Sequence, residues 1–256
     1  METLFIGKNL LFLHEVESTN TYAMNLLRNV NAIEGTAVYT DYQTQGKGQR
    51  GSAWTSKIGE NITLSVIIKP QFLSLQQAFY LSKISALAVY DVLTDILVNS
   101  QYDIKIKWPN DILVNQSKIA GILIENNFTS NFIQHSVIGI GLNVNQVNFI
   151  DIDREVASLK QLLNVDLDRD YVMKLLFSKI EKWYLKLKER NYELIDSFYL
   201  KNLYGIKDRM DFEDINNLRF TAKTINVSTN GKLVLELEDL SLKEFDIKEV
   251  RYLFSK

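Results

Sequence analysis

Between Ile104 and Leu142 the chain offers four β-type runs in quick succession, Ile104–Trp108, Ile112–Val114, Ile119–Asn126 and Phe132–Leu142. Only short polar turns such as Asn115–Ser117 part them, and turns that short join antiparallel neighbours. A mixed, mostly antiparallel sheet is therefore expected. Leu10–Val16, Thr36–Tyr42 and the apolar run Ile62–Ile68 read as further strands. Ser18, Thr19 and Asn20 offer capping side chains before a helical run through Tyr22, Ala23, Leu26 and Leu27. After Pro70 a long amphipathic helix carries Leu75, Ala78, Phe79, Leu81, Ile84, Leu87, Ala88, Leu93 and Ile96 mainly on one side.

From about Ala157 to Tyr204 the pattern is helical, and Tyr171, Leu175, Leu176, Ile180, Trp183, Tyr184 and Leu187 form a core-facing stripe. From Gly205 onward short strands alternate around Asn230-Gly231, a strong hairpin signal. A small β-barrel appendage fits that tail. The expected class is α+β, with residues 1–204 as the main domain and 205–256 as the barrel.

At 256 residues and 46% hydrophobic composition the chain can bury one good core and a small second one. A net charge of -2 gives no global positive field, so general DNA or RNA binding is disfavoured. Without cysteine there is no disulfide, thiol nucleophile or thiolate metal site, and two histidines make a histidine-rich metal centre a poor expectation. No metal-binding side chains are assigned. Residues Met1 to Leu13 lack the pattern of a signal peptide, and the segment Leu73–Val98 is too polar to span a membrane, so a cytoplasmic location is expected.

Three segments carry candidate chemistry. The loop Gln43–Glu60 holds four of the eleven glycines, and within it Gly46-Lys47-Gly48-Gln49-Arg50-Gly51 lets backbone approach an anion while Lys47 and Arg50 supply charge. A mobile surface turn has the same composition. The loop lacks the Lys-Ser/Thr ending of a P-loop, and Ser52, Ala53 and Trp54 do not start a convincing helix, so ordinary P-loop binding is a poor reading.

The second segment, Lys107-Trp108-Pro109-Asn110-Asp111, ends one strand and begins another because proline removes a ladder donor, and a plain bulge or turn explains it too. Lys118 follows, at the head of the apolar run Ile119 to Glu125, either facing a ligand or snorkelling at an edge. The third, Gly139-Ile140-Gly141-Leu142-Asn143, places glycines inside a β-run, which signals close approach of a ligand or another backbone, or a bulged edge. No Gly-x-Ser-x-Gly elbow occurs, and His14 and His135 both sit in strand-like runs, so a nucleophilic triad is not indicated.

In this order, Ser18-Thr19-Asn20, Gln43, Gly46 to Gly51 with Trp54, Lys107 to Asp111, Lys118 to Glu125 and Gly139 to Asn145 closely resemble the biotin protein ligase family, over roughly residues 10–150. The resemblance implies a mixed sheet flanked by helices, related to lipoate ligases and class II aminoacyl-tRNA synthetases, with a small SH3-like C-terminal barrel. It implies biotin and ATP as substrates, Mg2+ held largely by phosphate oxygens, and a biotin carboxyl carrier domain of a carboxylase as partner.

Residue by residue, it places Ser18, Thr19 and Gln43 on the ureido ring, with Asn20 beside them. Gly46, Lys47, Gly48, Gln49 and Arg50 fall over the carboxylate and adenylate, and Lys118 bridges carboxylate and α-phosphate. Trp54 and Asn143 contact the adenylate, Asp111 orients or deprotonates the acceptor lysine, and Lys107, Asn110, Gly121, Gly139 and Gly141 complete the binding surface. Lys47 and Gln49 depart from the arginines common in the family loop; lysine keeps charge without the planar fork, and glutamine loses the charge. Relatives that repress transcription carry a winged-helix domain before the catalytic part, and with the first catalytic strand near Leu10 no such domain is expected. Two other readings remain: a lipoate or octanoate enzyme on the same fold, and a catalytically silent biotin- or nucleotide-binding module.

Overall fold

The structure is a computed structural model that describes residues 2–30, 32–98, 101–149 and 155–253. Its main sheet has seven strands, β1 (Leu10–Val16), β2 (Ala37–Gln43), β3 (Ile62–Ile68), β4 (Ile104–Lys107), β5 (Asp111–Val114), β6 (Ser117–Phe128) and β7 (Ile133–Leu142). They lie in the order β1-β2-β3-β7-β6-β5-β4, and only the β1–β2 pair is parallel. The sheet is mixed and mostly antiparallel, as the close spacing of the runs requires.

Helices α1 (Thr19–Val30), α2 (Phe79–Ile96), α3 (Leu159–Leu163), α4 (Arg169–Lys188) and α5 (Tyr192–Lys201) complete the domain. The segment read as one helical stretch is broken where Asn164 and Arg190 take left-handed backbone angles, φ 56° and 61°. Of the proposed core stripe Tyr171 is an exception: its side of α4 faces out at 59% exposure, and Val172 is buried in its place.

Every residue of β3 is buried, which needs cover on both faces of the sheet. Ile62, Leu64, Val66 and Ile68 join the large core with residues of α2 and α4. On the opposite face Ile67 packs with Val38, Val137, Ala23 and Leu27 beneath α1. Thr63 and Ser65 share that second face but lie beyond Ile67 along the strand, opposite Gly141 and Gly139 of β7. Two small polar residues facing two glycines leave a hollow in the sheet surface.

Strands β8 (Arg209–Asp214), β9 (Arg219–Val227), β10 (Leu233–Glu236), β11 (Leu242–Phe245) and β12 (Val250–Tyr252) form a second, antiparallel sheet in the order β11-β10-β9-β8-β12. No pairing joins β11 to β12 among the described residues, so what is seen is a five-stranded sheet where a closed barrel was expected. It is fastened to the main body where Trp108 Nε1 donates to Gly231 O at 2.9 Å and the Tyr204 and Tyr252 rings meet edge to face. The Trp108–Pro109 bond at this contact is cis. Among the described residues no helix is long and apolar enough to cross a membrane.

Candidate active site

The hollow opens into a cavity of about 200 Å³ whose floor is Gly121, Gly139 and Gly141 and whose walls come from the start of α1, the loop after β2, and the ends of β5 and β6. The three glycines do not have the same neighbour. A Cβ at Gly139 would lie 2.3 Å from Asn20 Oδ1, whereas at Gly141 it would lie 2.2 Å from Trp54 Cε2 and at Gly121 3.1 Å from Trp54 Cζ3. Side chains from elsewhere in the chain, and not another backbone, make the close approach.

At one end of the cavity Ser18, Thr19, Asn20 and Gln43 gather a cluster of neutral polar groups. Gln43 Oε1 accepts from the Thr19 backbone N–H at 2.8 Å, which fixes its amide with Nε2 turned the other way. Asn20 Nδ2 donates to Glu125 Oε2 at 2.8 Å and to Leu123 O at 3.3 Å. These side chains are positioned because the first turn of α1 starts directly above the hollow.

The other end is charged. Lys118 Nζ meets Asp111 Oδ1 at 2.5 Å, and both side chains are close to buried, at 12% and 11% exposure. A strictly alternating strand would turn Lys118 away, since Gly121 and Lys118 are an odd number of residues apart. The β5–β6 register instead shifts between Ile112 and Leu113, so that Gly121 pairs with Asp111 but Lys118 pairs with Leu113. The extra residue of this bulge brings Lys118 onto the same face as Gly121, 3.2 Å from where a Cβ at Gly121 would stand. Lys118 Nζ also lies 5.6 Å from the Trp54 ring.

The glycine-rich loop folds over the top. Trp54 N donates to Gly46 O at 2.9 Å and Gly48 N to Ser52 O at 2.7 Å, with a short 3-10 turn at Gln49–Gly51 between. Lys47 Nζ reaches across to Thr21 Oγ1 at 2.9 Å, tying the cover to the first turn of α1. Its far root is held by Gln146 Oε1, which accepts from Lys57 N at 3.0 Å and Asn61 Nδ2 at 2.6 Å. Trp54 Nε1 is buried without a hydrogen-bond partner.

Of the side chains singled out from the sequence, Lys47, Gly48, Gln49, Trp54 and Asn110 line the cavity with the groups above. Three residues do not. Gly46 sits behind the wall against the Gln43 amide and the Trp54 carbonyl. Lys107 turns toward the second sheet, with Nζ 5.9 Å from the Tyr252 ring. Asn143 is buried and donates to Ala157 O at 3.0 Å, a bond that braces the segment beside Lys118 and occupies the amide expected to meet a base. The Arg50 side chain lies outside the described residues.

Thr63, Ser52 and Ala53 also line the cavity and were not anticipated. Thr63 and Ser65 did leave a trace, as polar residues at alternate places in an otherwise apolar strand. His135 is half-buried on β7, and burial, then the Lys69 charge, hold its imidazole below the ordinary histidine range. Among the described residues no three His, Asp or Glu side chains gather as a metal site.

A sheet with a glycine-floored cavity, a capped helix at its neutral end and a lysine–aspartate pair at the other defines the class. The profile of the biotin/lipoate A/B protein ligase family matches residues 12–143, and the chain belongs to that family. It is 33% identical over 242 residues to the bifunctional ligase/repressor BirA of Bacillus spizizenii, covering 93% of this chain and 73% of that protein. It is 27% identical over 221 residues to the biotin--[acetyl-CoA-carboxylase] ligase of Mycobacterium tuberculosis, covering 86% of this chain and 80% of the relative. Among solved structures, the biotin protein ligase of Aquifex aeolicus in complex with biotin and ATP superposes with a TM-score of 0.79 at 25% identity, over 97% of this chain and all (100%) of that one.

Proposed function

We propose that the chain is a biotin protein ligase that makes biotinyl-5′-AMP from biotin and ATP and passes the biotinyl group to one lysine of a carboxylase's biotin carboxyl carrier domain. The observation that carries this reading is the division of one cavity between a neutral hydroxyl-and-amide end and the Lys118–Asp111 end. Short hydroxyls and amides suit a cyclic urea, which presents donors and an acceptor but no charge. A cation at the far end suits the point where a carboxylate must meet a phosphate.

In the first step a biotin carboxylate oxygen attacks the α-phosphorus of ATP and pyrophosphate leaves. Lys118 draws the two anions together and stabilises the charge that grows on the phosphoryl oxygens, while Lys47, Gly48, Gln49 and Arg50 close over them and exclude water. Trp54 covers the nucleotide, and its buried Nε1 supplies a donor. In the second step the acceptor amine attacks the acyl carbon, AMP departs, and Asp111 orients the amine or takes its proton. Mg2+ would ride on the phosphate oxygens and offset their charge; the carboxylate in the cavity wall, Asp111, is held by Lys118.

The carrier domain docks briefly along a sheet edge. Past Ile122 and Leu123, which bond to Asn110 and Asn20, β6 has β7 as its strand partner alone among the described residues, and this supports that outer stretch as the docking line. The aromatic row Phe245, Phe220, Phe212 and Tyr252 supports reading the second sheet as a curled SH3-like unit, with the division into domains at residues 204 and 205. We place the protein in the cytoplasm, acting without DNA as monomer or homodimer. Incubation with ATP, Mg2+, biotin and a carrier domain, followed by streptavidin detection, should label the carrier lysine. Pyrophosphate release with lipoate in place of biotin would overturn the reading in favour of a lipoate ligase, and biotin binding without transfer would mark a silent module.

A further inference from the structure

The glycine-rich cover reaches the cavity on two arms, and they are anchored differently. The first is tied to the end of β1, where Thr44 N donates to Val16 O at 3.0 Å and Gln45 N to Glu17 O at 2.9 Å. Trp54 N then meets Gly46 O, so the indole hangs from the first arm at one point. One hydrogen bond fixes a position but leaves a direction open. That direction is fixed three residues later, where Lys57 N donates to Gln146 Oε1 at 3.0 Å. Beyond Lys57 the chain turns: Gly59 N meets Asp41 O, Asn145 N meets Glu60 O, and Glu60 reaches back to Lys57 through its N–H and its carboxylate. Those bonds hold the far side of the turn, after the arm has ended.

The Gln146 amide can turn only one way. Asn61 Oδ1 accepts from Val144 N at 3.0 Å, so Asn61 Nδ2 faces Gln146 and needs an acceptor there. Gln146 Oε1 accepts it at 2.6 Å, and Gln146 Nε2 donates to Asn148 O at 2.8 Å. Both side chains are buried, and each has a backbone partner that sets its orientation. One oxygen therefore serves two donors, Asn61 from the body of the protein and Lys57 from the cover.

We propose that Gln146 is a positioning residue: by giving the Lys57 N–H its acceptor it sets the direction of the Trp54 arm, and so acts on the nucleotide end of the cavity and not on the neutral end. The inference rests on the reading of Trp54 as the cover of the nucleotide. Deprived of that oxygen, the Lys57 N–H is left to water, which requires the arm to lift, and the indole lifts with it from Gly141 and Gly121. Ser18, Thr19, Asn20 and Gln43 stand at the start of α1 and the end of β2 and do not hang from this arm.

Gln146→Met and Gln146→Glu test it as a pair. Methionine keeps the length and removes both acceptor contacts, whereas glutamate keeps an oxygen for Lys57 and Asn61 and loses only the donation to Asn148. Both should be less stable, so a merely structural residue predicts that they impair the protein alike. Positioning predicts a split. In pyrophosphate release with saturating biotin, Gln146→Met should raise the KM for ATP roughly fivefold, the worth of about one hydrogen bond, and Gln146→Glu by less than about twofold. Calorimetric Kd values for biotin without nucleotide should stay within about twofold of wild type in both. In a Trp54→Ala background Gln146→Met should add less than about twofold, because the ring it positions is gone. Acrylamide quenching of Trp54 in the ligand-free chain, where Trp108 and Trp183 are buried, should rise in Gln146→Met and not in Gln146→Glu. Equal behaviour of the two variants overturns the proposal, and so does an undiminished loss in the Trp54→Ala background. A wild type that releases no pyrophosphate with biotin and ATP removes the biotin reading instead, and the ligand-free quenching comparison then decides the placement of the arm by itself.

Discussion

Lys118 and Asp111 form a nearly closed ion pair, so removing the lysine does two things. It deletes an attraction for the reacting phosphate, and it leaves a carboxylate facing the same phosphate. A unit charge about 5 Å from a phosphoryl oxygen, at an effective dielectric of about 20, is worth roughly 3 kcal/mol. The carboxylate, one hydrogen bond further back at about 7 Å, repels by roughly 2 kcal/mol once uncovered. Water entering the vacated space reduces both, so Lys118→Ala should slow adenylation by about 10²- to 10³-fold. Adding Asp111→Asn should then restore roughly tenfold, because the repulsion goes while the attraction stays lost. The assay is single-turnover pyrophosphate release with biotin and ATP and no carrier, which isolates the first step from any part Asp111 plays in transfer. A double variant no faster than Lys118→Ala refutes the electrostatic account of the pair.

Three other outcomes follow from the geometry. Gly141→Ala puts a methyl where the Trp54 indole lies, so the ring must lift; acrylamide quenching of Trp54, distinguishable because Trp108 and Trp183 are buried, should increase, and unchanged quenching would mean the indole does not rest on that glycine. Burial holds the His135 pKa below its unfolded value, so below about pH 6.5 the unfolded chain binds the extra proton and stability falls with pH until the lowered folded pKa is passed. Urea melts of wild type and His135→Gln from neutral to acidic pH should show that slope flattened in the variant, and parallel curves would refute it. Glu181 on α4 accepts the backbone N–H groups of Leu4, Phe5 and Ile6 at 2.6, 2.8 and 3.0 Å, so Glu181→Ala should cost roughly 2–4 kcal/mol in urea unfolding, and less than about 0.5 kcal/mol would show that clasp to be idle.

The residue types at the cavity were legible in the sequence because the chemistry of each, hydroxyl, amide, cation or glycine, is local. What they face is not. Lys118 reaches the cavity only through a bulge at Ile119, and nothing in Lys118-Ile119-Ala120-Gly121 announces an extra residue, since a bulge is a mismatch between two strands. Lys107 and Asn143 sit in the same motifs as cavity residues, yet the second sheet takes one and the Ala157 carbonyl the other. Glycines within β7 pointed to close approach of a ligand or another backbone, whereas the groups that stand over them are the side chains of Asn20 and Trp54, from segments far away in the chain. The strands themselves were readable because short turns leave few pairings, whereas barrel closure depends on edges that composition does not encode.

The floor explains why both ends of the cavity can work in one small space. Gly139 and Gly141 are two residues apart on β7, about 6 to 7 Å along the strand, and each gives up its side chain to a different visitor. Over Gly139 sits Asn20, whose amide is held by Glu125 behind the cavity; over Gly141 and Gly121 sits Trp54, beside the ion pair. A neutral ring and an anionic junction need opposite surroundings, one of fixed dipoles and one of charge, and a single sheet surface can hold both only if nothing from the strands themselves stands between them. Bulky side chains at these positions would force the two ends apart, so in the proposed reaction the separation of recognition from chemistry is set by where the sheet has no side chains.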